Sequence, residues 1–145
     1  MKRIPELHKL SADHHLGLVL ARRARLAAEG KSCHSPSEVW EEIDRKFRSE
    51  LEPHFRIEEE YLVPPMKAIG ELGLIERLNE EHKALREIVL DRSARTLSLL
   101  RDFGEILERH IRFEERELFE TAQQLLPPEL FKTIEKASIG TIPRT

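Results

Sequence analysis

Apolar residues recur at steps of three and four along most of the chain, the spacing that lines one face of a helix. Trp40, Ile43, Phe47 and Leu51 form one stripe, Ile75, Leu78, Leu85 and Val89 a second, and Leu100, Phe103 and Leu107 a third. The residues between the stripes divide the chain into four long helices. The first runs from about Ser11 to Glu29, with Gly30 as its stop. The second is announced by Ser35-Pro36-Ser37-Glu38, in which Ser35 caps, Pro36 suits the first helical position and Glu38 completes a capping box. It is expected to end near Val63, before Pro64-Pro65. Pro53 lies inside it and predicts a kink just before His54. The third helix covers about Glu71 to Leu90, and Asp91-Arg92-Ser93 reads as a short turn. The fourth covers about Ala94 to Leu126 and stops at Pro127-Pro128. A short helix from Glu129 to Lys136 follows, then a loose tail from Ser138 to Thr145. Short connections imply antiparallel neighbours. The expected fold is therefore all-α, an antiparallel up-down four-helix bundle with a short extra C-terminal helix. It forms one domain over residues 1–145, with its core at about 10–126.

Continued by one step, each stripe changes chemical type. After Leu51 come His54 and Glu58, after Leu107 come His110 and Glu114, and His82 stands between Leu78 and Leu85. These are core positions by spacing, and an unpaired carboxylate in a core costs several kcal/mol. A cationic metal supplies the compensation, and neutral imidazole with carboxylate oxygen suits iron or zinc. His-x-x-x-Glu places both donors on one face, one turn apart, so they can serve one metal or two neighbouring metals. The pattern is also repeated. His54-Phe-Arg-Ile-Glu-Glu-Glu-Tyr-Leu62 matches His110-Ile-Arg-Phe-Glu-Glu-Arg-Glu-Leu118, and Asp13-His14-His15-Leu16-Gly17-Leu18 matches Glu80-Glu81-His82-Lys83-Ala84-Leu85 more weakly. Two similar hairpins, each with a lone histidine and a His-x-x-x-Glu, suit a two-metal site. The weaker match aligns His15 with His82. His15 also lies nearer the face of Ala12, Leu16, Val19 and Leu26, so it is preferred to His14. His8 and His34 fall outside the pattern and read as surface residues.

Composition narrows the function classes. Charged residues make up 35% and aromatics 6%, which favours amphipathic helices over sheets. A net charge of −3 gives no reason to expect nucleic acid or an acidic membrane as partner. A single cysteine, Cys33, excludes an internal disulfide and makes a thiolate metal site unattractive. The opening Met1-Lys2-Arg3-Ile4-Pro5 leads into a polar helix, so no signal peptide is expected, and no apolar run approaches a membrane span. A cytoplasmic location is the default expectation. Nothing in the pattern identifies a protein partner.

The order of these residues resembles the hemerythrin-like HHE cation-binding family. A histidine on the first helix is followed by His-x-x-x-Glu-Glu on the second, Glu-Glu-His on the third and His-x-x-x-Glu-Glu on the fourth. The likeness spans about residues 10 to 120. It implies a carboxylate-bridged pair of non-haem iron ions inside a four-helix bundle. The ligands would be His15, His54, Glu58, His82, His110 and Glu114, with Glu58 and Glu114 as bridges and zinc as the alternative metal. Oxygen carriers of this family have a second histidine one turn after the third-helix histidine, where this chain has Arg86. They also use an aspartate five residues after the fourth-helix histidine, where this chain has Glu115, one residue after Glu114. The missing imidazole leaves an open coordination position, with water, Glu81 or Tyr61 as candidates to fill it. Glu59 and Glu115 are reserve ligands expected at the surface. The resemblance implies binding or sensing of oxygen, nitric oxide, peroxide or iron. The alternatives are a di-iron enzyme acting on peroxide or Fe(II), and a zinc-bound structural bundle. Ferritin-like proteins use Glu-x-x-His, in the reverse order and at a different spacing.

Overall fold

A computed structural model describes residues 2–139. Residues 140–145, most of the tail expected after Ser138, lie outside the described residues. The described chain is helical, without strands. A 3-10 turn, Pro5–Leu7, leads into α1 (His8–Ala28). The next rod joins α2 (Pro36–Lys46), α3 (Glu52–Ile57) and α4 (Val63–Ala68) through π turns at Phe47–Leu51 and Glu58–Leu62. Then come α5 (Leu72–Leu90) and a rod joining α6 (Leu97–Phe113) to α7 (Phe119–Leu125) through a π turn at Glu114–Leu118. A final short helix, α8, covers Pro128–Ser138.

Local chemistry explains the ends. The capping box at Ser35 forms in both directions, with Glu38 N–H donating to Ser35 Oγ at 3.1 Å and Ser35 N–H to Glu38 Oε1 at 3.2 Å. Gly30 ends α1 at φ 71°, in the left-handed region that glycine enters freely, and Lys31 N–H closes on the Leu26 carbonyl at 2.8 Å. The diproline corrects the sequence reading: the second rod does not end near Val63 but continues to Ala68. The π turn before it lets Val63 N–H reach back to the Glu58 carbonyl, and the widened backbone makes room for the ring of Pro64. Gly70, at φ 87°, is the stop. The same device passes Pro53, where Glu52 N–H bonds the Phe47 carbonyl. The distortion predicted at Pro53 is thus taken up by a widened turn just before it.

The core has two apolar clusters. One contains Leu20, Trp40, Ile43, Phe47, Leu51, Phe55, Leu85, Phe103 and Leu107; the other contains Leu10, Leu62, Met66, Ile75, Leu78, Leu118 and Phe119. The helical stripes read from sequence supply both. Between the clusters lies a layer of buried polar side chains. α1 reaches this layer because its contact with α6 is very close. A Cβ at Gly104 would stand 2.7 Å from the Ala21 carbonyl oxygen, so only glycine permits the approach. The two helices run in opposite directions, Ser11 meeting Glu115 and Arg25 meeting Glu108. No helix among the described residues is long and apolar enough to cross a membrane.

Candidate metal centre

The polar layer contains His14, His54, Glu58, His82, His110 and Glu114, each buried. Glu58 and Glu114 have no exposure and, among the described residues, no Lys or Arg partner; they face the histidines instead. His14 Nε2 lies 2.7 Å from Glu114 Oε1, and His110 Nε2 lies 2.7 Å from Glu114 Oε2. His54 Nε2 is 3.3 Å from both Glu58 Oε2 and Glu114 Oε1. His82 Nε2 is 3.2 Å from Glu58 Oε1. Two donor groups result. His14, His54, Glu58 and Glu114 form one; His82, His110, Glu58 and Glu114 form the other. In each, the donor atoms lie within 4.8 Å of one another.

Five of the six residues singled out from sequence meet here, and the sixth is corrected. His15 is exposed, and His14 takes its place. The buried face of α1 carries mostly small apolar residues, Gly17, Ala21, Ala24, Ala27 and Ala28 beside Leu10 and Leu20, whereas Val19 is 38% exposed. The larger side chains therefore pointed to the wrong face. The helical repeat is also offset by one residue. Pairing Asp13-His14 with Glu81-His82 sets Leu10 against Leu78 and Gly17 against Leu85, all of them buried. His8 and His34 are exposed, as expected.

Each histidine is also held from behind. His14 Nδ1 bonds Glu115 Oε2 at 2.8 Å and His54 Nδ1 bonds Asp13 Oδ2 at 3.1 Å. His82 Nδ1 bonds Glu59 Oε2 at 2.7 Å and His110 Nδ1 bonds Glu81 Oε1 at 2.8 Å. Each ring gives Nδ1–H to a carboxylate and turns Nε2 inward, so that the neutral ring would present its Nε2 lone pair in the orientation that metal-binding histidines need. Sequence reasoning missed this role. It placed Glu59 and Glu115 at the surface and offered Glu81 as a ligand, whereas all three are partly buried supports behind the rings. The signal was positional: an acid precedes each lone histidine (Asp13, Glu81) and follows each central glutamate (Glu59, Glu115).

An outer cation holds each of these acids. Lys9 pairs with Asp13, Arg77 with Glu81 at 3.2 Å and Arg3 with Glu115 at 3.6 Å. Arg86 donates to both oxygens of Glu59, at 2.7 and 3.0 Å, and to both of Glu52. Arg86 therefore does not face a vacant metal position; it clamps the support of His82. Tyr61 is half-buried and packs against the second apolar cluster.

The site fits a cation. Among the described residues, both Glu58 oxygens, Glu114 Oε2, His82 Nε2 and His110 Nε2 are buried and lie close to one another without the alignment of a hydrogen bond, crowded into the donor groups. The charges there favour any bound cation, a proton included. Burial pulls His82 down, yet Glu114, Glu58 and Glu59 push it up to about 10. Burial pushes Glu59 up, but His82 and Arg86 hold it at about 2. His54 is raised well above its ordinary value against burial, chiefly by the Glu58 charge and by Asp13.

The comparisons agree with this chemistry. The family model for the Hemerythrin HHE cation binding domain matches residues 6–122. No curated protein and no solved structure matches the chain. The matched span takes in both donor groups and the four acids behind them, and the protein belongs to the hemerythrin HHE cation-binding domain family.

Proposed function

We propose that this protein holds two non-haem iron ions, bridged by Glu58 and Glu114, and uses them to bind or sense oxygen, nitric oxide, peroxide or iron itself. The observation that carries this reading is the pair of four-residue donor groups sharing both carboxylates. Each group offers two imidazoles and the two shared carboxylates, nitrogen and oxygen donors of the kind non-haem iron takes, while the thiolate that structural zinc often uses could come only from the exposed Cys33. The helices around the site are read as the antiparallel four-helix bundle, with α8 as the extra helix. Reversed pairing of α1 with α6, and of α3 with α5 through Arg86–Glu52 and His82–Glu59, supports that arrangement.

When bound, the iron pair supplies redox chemistry with small oxidants or diatomic ligands. The chain's own groups orient the donors, keep the central carboxylates away from water and hold the proton on each Nδ1.

The test is metal analysis of protein purified without added metal, with an absorption spectrum alongside. About two irons per chain with a near-ultraviolet band are expected. Zinc alone, or no uptake after anaerobic loading with Fe(II), would remove the oxygen chemistry and favour a structural role. Turnover of peroxide by the iron-loaded protein would move the reading from sensing to catalysis.

A further inference from the structure

The two donor groups have matching residues but different surroundings. His82 has no exposure, and its ring stacks on Phe55 at 3.9 Å between centroids, with the planes 14° apart. Behind it, Arg86 grips Glu59 through both oxygens, bonds both oxygens of Glu52 and lies over the Phe55 ring at 5.5 Å. Behind His110, Arg77 joins Glu81 to Glu117 and stacks over Phe113 at 4.2 Å. Planar guanidinium forks that bind two carboxylates and cover an aromatic ring resist displacement.

The other group is less firmly closed. A cavity of about 200 Å³ is lined by Lys9, Asp13, Glu50, Pro53 and His54, among others, and so reaches a donor histidine and the acid behind it. The clasp on Asp13 is Lys9, a single flexible ammonium that lacks the planar fork with which Arg86 and Arg77 each bind two carboxylates. Behind His14, Arg3 pairs with Glu115 and Glu120 and lies over the Phe119 ring on which His14 stacks, so this group is open at His54 and not at His14. A cavity carrying the carboxylates of Asp13 and Glu50 attracts a hydrated cation, and the one lysine at its edge is easily moved.

Resting on the two-metal reading above, we propose that the His14–His54 position exchanges its metal through the Lys9–Asp13 cavity, while the His82–His110 position retains its own. The wiring makes the difference kinetic, since both positions share the same two carboxylates.

The test uses full-length protein loaded anaerobically with Fe(II) and mixed with excess ferrozine, whose colour reports release. Wild type should give two phases of equal amplitude. Lys9→Ala should speed the fast phase by about tenfold, at the low end of what loss of an outer-shell partner does to metal binding, and leave the slow phase alone. Arg86→Lys, which keeps the charge but loses the fork, should speed the slow phase alone. Both residues lie outside the donor set, and circular dichroism confirms that the variants are folded before release is timed. A single phase for two irons, or a Lys9→Ala effect that is absent or equal on both phases, would overturn the proposal while leaving the two-metal reading standing. A loading that stops at one iron per chain would overturn both.

Discussion

The close approach of α1 to α6 can be tested by adding one methyl group. In Gly104→Ala the new Cβ would meet the Ala21 carbonyl oxygen at 2.7 Å, Arg25 Cγ at 2.7 Å and Arg25 N at 3.3 Å. Ordinary contact begins at 3.4 Å, so backbone atoms must move apart by about 0.7 Å. Arg25 Cγ can swing aside, but the carbonyl is part of α1 and moves only with the helix. Overpacking of this kind costs about 1–3 kcal/mol. Alanine returns up to about 1 kcal/mol through its better helix propensity. Because backbone atoms must move, the cost lies toward the upper end, about 2–3 kcal/mol, and the net is a destabilisation of about 1–2 kcal/mol, a fall in Tm of about 3–6 °C for a chain of this size. Gly17→Ala is the control. Its Cβ would meet Ile111 Cδ1 at 2.6 Å, but that atom ends a flexible side chain and can rotate away. Gly17→Ala should therefore be the milder change, because the gain of up to about 1 kcal/mol in helix propensity offsets the cost of rotating Ile111. Urea unfolding of both metal-free variants gives the comparison. A Gly104→Ala protein as stable as wild type, or a Gly17→Ala protein that is the weaker of the two, would refute the claim that backbone contact sets the distance between these helices.

Three further outcomes follow from the site and its surroundings. His14→Ala should lower metal content from about two per chain to about one, Glu58→Gln should lower it further because both groups use that carboxylate, and His15→Ala should leave it unchanged; equal content in His14→Ala and His15→Ala would sink the assignment. In the metal-free protein His82 sits at about 10 against an ordinary 6.5, so the stability it contributes is fully present below about 6.5 and lost as pH rises through about 10. Metal requires the neutral ring, so loading should release protons and tighten as pH rises through that window; titration calorimetry in buffers of different ionisation enthalpy measures the release, and none at neutral pH would contradict the site's charge balance. Ser35→Ala removes the cap of α2 and should cost about 1 kcal/mol in urea unfolding, with no effect on metal content, because Ser35 is exposed and remote from the donors.

The helices were legible because large apolar side chains dominate the buried faces of α2, α5 and α6. α1 was harder to read. It buries glycine and alanine where α6 comes close, and residues of that size carry little hydropathic signal. The choice between adjacent histidines turned on that face and came out one residue off. The central donors were visible because charge inside an apolar stripe is conspicuous. The four supporting acids were not, since they sit among many surface carboxylates in a chain that is 35% charged. Their regular offset from the donors became meaningful once the rings were seen to turn their Nδ1 atoms toward them. The run through Pro64-Pro65 depends on a widened turn, and i→i+5 bonding leaves no mark in residue periodicity.

The hydrogen bonds behind the rings also bear on the order of assembly. Glu59 and His82 are separated by 23 residues along the chain, Glu81 and His110 by 29, and Asp13 and His54 by 41. His14 and Glu115 are 101 apart. Closing a longer loop costs more chain entropy, so the His82–His110 side can gather from one continuous stretch while the His14 side waits for the two ends of the domain to meet. Docking of α1 is then the step that completes the nest of donors, and a nascent chain reaches its full metal capacity only once Glu114 and Glu115 have been made.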